Sequence, residues 1–148
     1  MDPVDSPPEL HGLVLTHGQW VQLCAEAERI APEEACGLLA GQASKVEAII
    51  PVTNALHSQV RYRMDPAEQV KAFLEIEQRG WELIGIYHSH PVGPDVPSQT
   101  DKAEAFYPES VYLILSGQTG RWQVRGFFIR NDQVGEVPVR IEDKSIME

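Results

Sequence analysis

The run of residues 81–90, WELIGIYHSH, constrains the fold more than any other part of the chain. Its β-branched and aromatic residues are typical of a buried strand. The seven residues that follow, PVGPDVP, contain three prolines and one glycine and cannot form regular structure. The sequence therefore predicts a core strand that ends at His90 and continues into a loop stiffened by proline.

Three local signals for the start of a helix stand on either side of this strand. They are a capping-box pattern (Thr16 with Gln19), an Asp-Pro pair (Asp65) and a serine cap (Ser98). The first helix has apolar residues at helical spacing and should end before Pro32. The three helices are expected at about 17–31, from 65 to 80, and from 98 to about 106.

Short apolar runs between the helices predict the remaining strands. In chain order the expected strands are CGLLAG, KVEAIIPV, RYRM, WELIGIYHSH, SVYLILSG, RWQVRGFFIR and QVGEVPVRIE. Because helical and strand segments interleave, we expect an α/β fold, a single-domain α-β-α sandwich around one mixed sheet. That domain is expected to cover residues 10–148, after a flexible, proline-rich tail at 1–9.

Charge and composition argue against several classes of function. The chain has 12 Lys+Arg and 22 Asp+Glu, a net charge of −10, which repels phosphate backbones and anionic lipids, so neither nucleic acid nor a membrane is expected as a partner. No apolar run approaches the ~20 residues that span a bilayer. The acidic N-terminal segment is unlike a signal peptide, and two cysteines do not form a disulfide framework. We therefore expect a cytoplasmic protein.

The candidate chemistry lies where the 81–90 strand ends. Residues two apart on a strand point to the same side, so His88 and His90 can present both imidazoles to one point. Asp101 lies one turn into the helix that Ser98 begins. Two imidazoles and one carboxylate leave the fourth position of a tetrahedral site open, which is what catalytic zinc requires. The expected cofactor is one zinc ion per chain.

Each half of this pattern also has an ordinary structural explanation. A His-x-His pair on a strand is more often hydrogen-bonded than metal-bound, and Ser98 with Asp101 is by itself a capping box. The two halves together, separated by the proline-rich loop, favour a functional site. Cys36 is expected to be a small buried hydrophobe and not a nucleophile. The remaining histidines have no partner at ligand spacing and are assigned to the surface or to local hydrogen bonding: His11, His17 and His57.

The spacing of these residues resembles the motif of the JAMM (MPN+) metalloprotease family. The matching pattern is His88-Ser-His90-Pro, then Asp101 after ten intervening residues, with Ser98 three residues before that aspartate. The resemblance extends over nearly the whole chain and implies the family's fold and a zinc metalloprotease activity.

An upstream segment resembles the part of the family that carries a glutamate. It runs from Glu34 through Ala-Cys to Gly37 and continues with apolar residues to Gly41. Spacing alone leaves both Glu33 and Glu34 open as the active carboxylate. The family pattern selects Glu34.

The resemblance also implies a role for each site residue. His88, His90 and Asp101 would hold the zinc, which lowers the pKa of a bound water. Glu34 would act as general base and return the proton to the leaving amine. Ser98 would donate its hydroxyl to the oxyanion of the tetrahedral intermediate, a use that competes with its capping of the helix.

The stretch from Arg61 to Glu68, preceded by Asn54, resembles the short bacterial and archaeal members. These members process ubiquitin-like sulfur-carrier proteins after a C-terminal Gly-Gly, and one branch releases cysteine. The implied partners are such a carrier and, for a homodimer, a second copy of this chain. Three alternatives stay open: a deubiquitinase-like isopeptidase, a phage-tail peptidase, and a non-enzymatic module that binds a ubiquitin-like partner on a zinc-stabilised surface.

Overall fold

The computed structural model describes residues 12–142 as eight strands and three helices. The strands are β1 Leu13–Thr16, β2 Cys36–Gln42, β3 Lys45–Val52, β4 Glu82–His90, β5 Val111–Ser116, β6 Gln123–Arg130, β7 Gln133–Val137 and β8 Val139–Glu142. The helices are α1 His17–Ile30, α2 Pro66–Gln78 and α3 Gln99–Ala103. The expected tail at 1–9, the domain boundary at residue 10 and His11 lie outside the described residues. Within residues 12–142, no helix is long and apolar enough to cross a membrane.

All eight strands form one mixed sheet in the order β7-β6-β5-β4-β2-β3-β1-β8. The predicted core strand, β4, lies in the middle, antiparallel to β2 and parallel to β5. Only Pro138 separates β7 from β8, although these strands occupy opposite ends of the order. The sheet must therefore curl until its edges meet. The approach there is so close that a Cβ on Gly126 would lie 2.8 Å from Cγ2 of Val139.

The helices cover both faces of this sheet. From α1, Leu23 packs into a cluster of buried residues that includes Leu39 of β2. From α2, Ile76 packs into a second cluster that includes Leu38, the neighbour of Leu39 on the same strand. Adjacent strand residues point to opposite faces, so the two clusters are the two sides of one sheet. The predicted α-β-α sandwich is confirmed.

The helices begin and end close to the predicted residues, with one exception. Thr16 accepts a hydrogen bond from the backbone N–H of Gln19, the predicted capping box, and α1 ends at Ile30 before Pro32. The third helix is shorter than predicted, because it ends at Ala103 and not near residue 106.

Two strand predictions at the ends of the chain need correction. The segment QVGEVPVRIE is two strands, because Pro138 has no N–H for a sheet hydrogen bond and breaks the ladder. Its second half, β8, pairs in parallel with β1, a four-residue strand that the sequence analysis missed. A strand this short shows too little alternation to stand out, and its pairing partner lies more than 120 residues away.

The predicted RYRM strand is wrong: this segment forms an isolated bridge between Asn54 and Met64 and is otherwise a loop. The side chain of Asn54, which is 5% exposed, takes the place of a strand partner. Its Nδ2 donates to the carbonyls of Glu34 and Arg61, both at 3.0 Å, and its Oδ1 accepts from Leu56 and Arg63, both at 3.1 Å. The amide therefore holds the loop at 55–63 against the segment that leads into β2.

We expect Asn54→Asp to lower the free energy of unfolding by about 1–3 kcal/mol, because a carboxylate cannot donate to the buried Glu34 carbonyl or to the partly buried Arg61 carbonyl. Urea denaturation measures the change. Asn131→Asp is the matched control: Asn131 is exposed and has a positive φ of 50°, which Asp tolerates. Equal stability losses for the two variants would contradict the role given to the Asn54 amide.

Candidate metal centre

Both histidines of the motif lie at the carboxyl end of β4, on the same face of the sheet. His88 is 1% exposed and His90 is 5% exposed, and their Nε2 atoms lie 3.0 Å apart. Ser89 points to the opposite face, where its Oγ accepts a hydrogen bond of 2.7 Å from the backbone N–H of Ala35. The period of a strand therefore separates the two imidazoles from a serine that supports the neighbouring segment.

Asp101 reaches the same point from the first turn of α3. Its Oδ2 lies 3.0 Å from Nε2 of His88 and 3.1 Å from Nε2 of His90. Three ligand atoms on a tetrahedral zinc, each about 2.0–2.1 Å from the metal, are separated by about 3.3 Å. The three atoms thus form a nearly equilateral triangle of the size that a zinc ion requires.

The capping box of α3 is what directs the Asp101 carboxylate. The backbone N–H of Asp101 donates to Ser98 Oγ at 3.0 Å, and the backbone N–H of Ser98 donates to Asp101 Oδ2 at 2.9 Å. The ordinary explanation of this pattern is correct, and the same oxygen also faces the imidazoles. Capping uses a lone pair of the Ser98 hydroxyl and leaves its O–H able to donate, so the two uses of Ser98 expected to compete are compatible.

A backbone carbonyl on the side of the ring away from Asp101 sets the orientation of the His90 imidazole. Its Nδ1 lies 2.7 Å from the carbonyl oxygen of Pro94, which can only accept, so Nδ1 carries a proton. In a neutral ring Nε2 then holds the lone pair that a metal needs. The ring of His88 is covered by Tyr62, with centroids 4.6 Å apart.

Burial and hydrogen bonding set the charges of the triangle. Burial lowers the pKa of His88 and keeps that ring neutral. Burial also lowers the pKa of His90, but hydrogen bonds to Asp101 and to the Pro94 carbonyl outweigh it and raise the pKa overall. Burial acts to raise the pKa of Asp101, yet hydrogen bonds from both imidazoles hold it well below its usual range. A carboxylate anion beside a neutral imidazole suits metal binding.

Glu34, directly before β2, is the fourth residue at this point. Its side chain is buried, with Oε2 4.0 Å from Nε2 of His90. Its Oε1 is buried and has no hydrogen-bond partner within residues 12–142. Burial raises the pKa of this carboxyl to about 8; His90 opposes the shift and Asp101 adds to it. A buried carboxylate oxygen without a partner is costly and calls for an explanation such as an ion or water.

Spacing alone left Glu33 and Glu34 open, and the family resemblance selected Glu34; the structure separates the two. Glu33 Oε1 lies 3.2 Å from Nδ1 of the exposed His57, away from the imidazole pair. One ligand atom from each of Glu34, His88 and His90 lies within 4.8 Å of the others. Of the two carboxylates, the structure brings only Glu34 to the centre.

The sequence analysis assigned no role to two residues that support the centre, Asn54 and Tyr62. Asn54 holds the Glu34 carbonyl, and Tyr62 is on the loop that Asn54 fixes. The hydrogen bond from the Leu56 N–H to Asn54 Oδ1 is an Asx-turn, which the Asn residue after an apolar strand could have indicated. Its contact with Glu34 spans 20 positions and has no local signal.

The donor set fits zinc on these observations alone. Two imidazoles and one carboxylate form a triangle of the right size, and one of the imidazoles is held as its Nδ1–H tautomer by a carbonyl. The Glu34 carboxyl lies beside the triangle, and its Oε1 has no hydrogen-bond partner in the described part of the chain.

Comparison with known proteins identifies the family of this chain. Residues 17–127 match the family model described as prokaryotic homologs of the JAB domain. The chain is 36% identical over 125 residues to the CysO-cysteine peptidase of Mycobacterium tuberculosis, covering 82% of this chain and 86% of that protein. It is 41% identical over 114 residues to the desampylase of Haloferax volcanii, covering 75% and 80%. It is 38% identical over 130 residues to a protein of Thermus thermophilus named probable TtuB-protein conjugate cleaving protease, covering 86% and 84%.

Solved structures agree on the fold. The solution structure of a Desulfitobacterium hafniense protein has a TM-score of 0.80 and 35% identity, covering 89% of this chain and 94% of that one. A JAB1/MPN domain protein from Archaeoglobus fulgidus has a TM-score of 0.56 at 16% identity, covering 88% and 97%, and speaks for the fold alone. The family resemblance is confirmed: the chain belongs to the prokaryotic JAB family of JAMM/MPN domains.

Proposed function

We propose that this chain is a zinc metallopeptidase that hydrolyses the bond after the C-terminal Gly-Gly of a ubiquitin-like or sulfur-carrier protein. The observation that carries the proposal is the triangle of His88, His90 and Asp101 beside the buried carboxyl of Glu34, whose Oε1 has no hydrogen-bond partner among residues 12–142. The relatives support the substrate class, since their names describe a peptidase of CysO-cysteine and a protease of TtuB conjugates.

The metal would be held by His88, His90 and Asp101. When bound, zinc supplies Lewis acidity, which makes a water acidic and polarises a carbonyl. The chain contributes a fixed geometry, because the Pro94 carbonyl orients one ligand ring and the Ser98 N–H orients the carboxylate. Ligands held in this way lose little freedom when the metal binds.

Glu34 is the proposed general base. It accepts the proton of the water that attacks the scissile carbonyl, and it passes that proton to the leaving amine. Burial raises the pKa of its carboxyl to about 8, and a cation in the triangle would lower that pKa towards neutrality. A base whose pKa lies near the working pH transfers protons most effectively in both directions.

Ser98 is the proposed donor to the developing oxyanion. Its Oγ accepts a hydrogen bond from the Asp101 N–H. This bond holds the Ser98 hydroxyl close to the ligand oxygen of Asp101. The O–H then donates to the carbonyl oxygen as negative charge builds on it. Donors of this kind contribute about 10²–10³ in rate.

The burial of the site supports a slender substrate. The exposed fractions are 3% for Glu34, 1% for His88, 5% for His90 and 9% for Asp101. A peptide bond can approach groups this buried only where the chain carries no bulky side chains. Two glycines before the scissile bond meet that condition, and the leaving group is cysteine, a peptide or a lysine conjugate.

We infer a cytoplasmic location from the cysteines. Cys24 and Cys36 are both free thiols, which suits a reducing compartment.

We expect the purified chain to bind one zinc ion, and His88→Ala, His90→Ala and Asp101→Ala each to lose it, because three protein ligands are the minimum for a catalytic site. Elemental analysis after dialysis measures the metal. His57→Ala is the control, since His57 is exposed and contacts Glu33. Tight, stoichiometric zinc in the double variant H88A/H90A would refute the ligand assignment.

Glu34→Gln should keep zinc and melting temperature but lose at least about 10² in kcat, because an amide cannot take a proton from water. Glu33→Gln is the matched control, one residue away and outside the centre, and should act like the wild type. Steady-state cleavage of a carrier fusion gives kcat for both. If Glu33→Gln were the inactive variant, the wrong carboxylate would have been chosen.

Carriers that end in Gly-Gly before a C-terminal extension should be cut after the second glycine. Changing that second glycine to valine should slow turnover about 10²-fold, because a displacement of about 1 Å of the scissile carbonyl costs that much. Mass spectrometry of the product locates the cut, and extensions of cysteine, a short peptide and a lysine conjugate compare leaving groups. Equal cleavage of Gly-Gly and Gly-Val tails would show that this is not a carrier-processing enzyme.

A further inference from the structure

The loop at residues 91–98, here called the proline loop, joins two parts of the metal centre. It begins after His90 and ends at Ser98, so its path sets the distance between β4 and α3. Its Pro94 carbonyl accepts the Nδ1–H of His90 at 2.7 Å. Any displacement of the loop at this residue would therefore move the hydrogen bond that orients a ligand ring.

The residue after Pro94 ties the proline loop to a distant strand. Asp95 Oδ2 lies 3.1 Å from Nη1 of Arg125 on β6. Because β5 lies between β6 and β4, this ion pair connects the proline loop to a strand that is not paired with β4. Near the start of the loop, the Gly93 N–H donates to the His90 carbonyl at 2.9 Å. A Cβ on Gly93 would lie 2.8 Å from Gln118 Oε1, so this end of the loop lies against the segment that follows β5.

Arg125 is itself held in place. Its Nε and Nη2 form two hydrogen bonds, of 3.0 and 2.8 Å, to the carboxylate of Glu136 on β7, and its guanidinium lies 5.2 Å from the centroid of the Phe127 ring. Two of its nitrogens are occupied by Glu136, and the third, Nη1, points to Asp95. A planar guanidinium fixed in this way forms its next contact with little further loss of freedom.

We propose that Arg125 is a positioning residue of the metal centre: through Asp95 it holds the Pro94 carbonyl against Nδ1–H of His90 and so keeps Nε2 of His90 facing the metal. The proposal rests on the zinc ligation proposed above. It assigns a role in that centre to a side chain that touches none of the ligands.

The size of the effect follows from the position of the ion pair. Loss of a direct partner of a ligating histidine typically weakens metal binding about 10–100-fold. Arg125 acts two residues further away, through Asp95 and Pro94, and the side chains of the ion pair are 34% and 41% exposed, so salt screens it. We therefore expect about a threefold to tenfold change in zinc affinity.

The test compares Asp95→Asn, Arg125→Gln and their double variant with the wild type. Zinc dissociation constants are measured by competition with a chromophoric chelator at about 0.05 M and about 0.5 M NaCl. Each single variant should bind zinc about threefold to tenfold more weakly at low salt, the double variant no more weakly than the weaker single, and high salt should reduce the differences. Arg140→Gln is the control, because Arg140 forms a similar exposed ion pair with Glu142 at 3.6 Å, away from the loop.

A second measurement uses the metal-free chain. Two-bond ¹H–¹⁵N correlations of the imidazoles should show a protonated Nδ1 on His90 in the wild type and in Arg140→Gln, and an Nδ1 that has partly lost this proton in Asp95→Asn and Arg125→Gln. Wild-type zinc affinity and His90 signals in Asp95→Asn, or additive losses in the double variant, would overturn the proposal. Failure of the wild type to bind zinc would refute the proposed function, and the His90 Nδ1 signal would still decide the role of Arg125.

Discussion

The position of β4 between β2 and β5 is the constraint on which the metal centre depends. Paired on both sides, β4 cannot shift its register without moving every side chain to the other face. That register directs both imidazoles to one face and Ser89 to the other. Cys36 is the register partner of His88. Glu34, two residues before Cys36, therefore comes to lie beside the imidazoles. One pairing thus brings together three of the four acidic or imidazole side chains that meet at the metal centre.

The fourth residue arrives by a device that also serves local structure. Ser98 and Asp101 cap α3 as many helices are capped, and the carboxylate oxygen that satisfies the Ser98 N–H is the one that faces His88 and His90. Capping therefore fixes the ligand atom before any metal binds, and the hydroxyl proton of Ser98 stays available. Asn54 also serves both local structure and the site. Its side-chain amide forms four hydrogen bonds, one of them to the Glu34 carbonyl.

Burial gives this arrangement its chemical character. It keeps His88 neutral, raises the pKa of Glu34, and restricts access to the centre. In a chain of net charge −10, a buried cluster with two carboxylates would repel itself unless a cation or protons balanced it. A divalent metal would balance the negative charge of the two carboxylates. A thin, glycine-rich tail could reach the buried centre. The proposed cofactor and the proposed substrate therefore follow from the same property of the site.

The sequence by itself determined what depends on neighbours a few residues away: the capping boxes at Thr16 and Ser98, the buried strand that ends at His90, and the spacing of the histidines. It did not determine what depends on pairing across the chain. RYRM looked like a strand because its alternation is local, whereas the Asn54 amide that replaces its partner strand makes contacts with no local signal. β1 and β8 went unrecognised as partners because short strands are defined by what they pair with. Residue spacing could not choose between Glu33 and Glu34, and the choice came from the family resemblance. Only the tertiary structure showed that Glu34 reaches the imidazoles and that Arg125 on β6 contacts the proline loop, since hydrogen bonds and ion pairs between distant segments exist only after the sheet has formed.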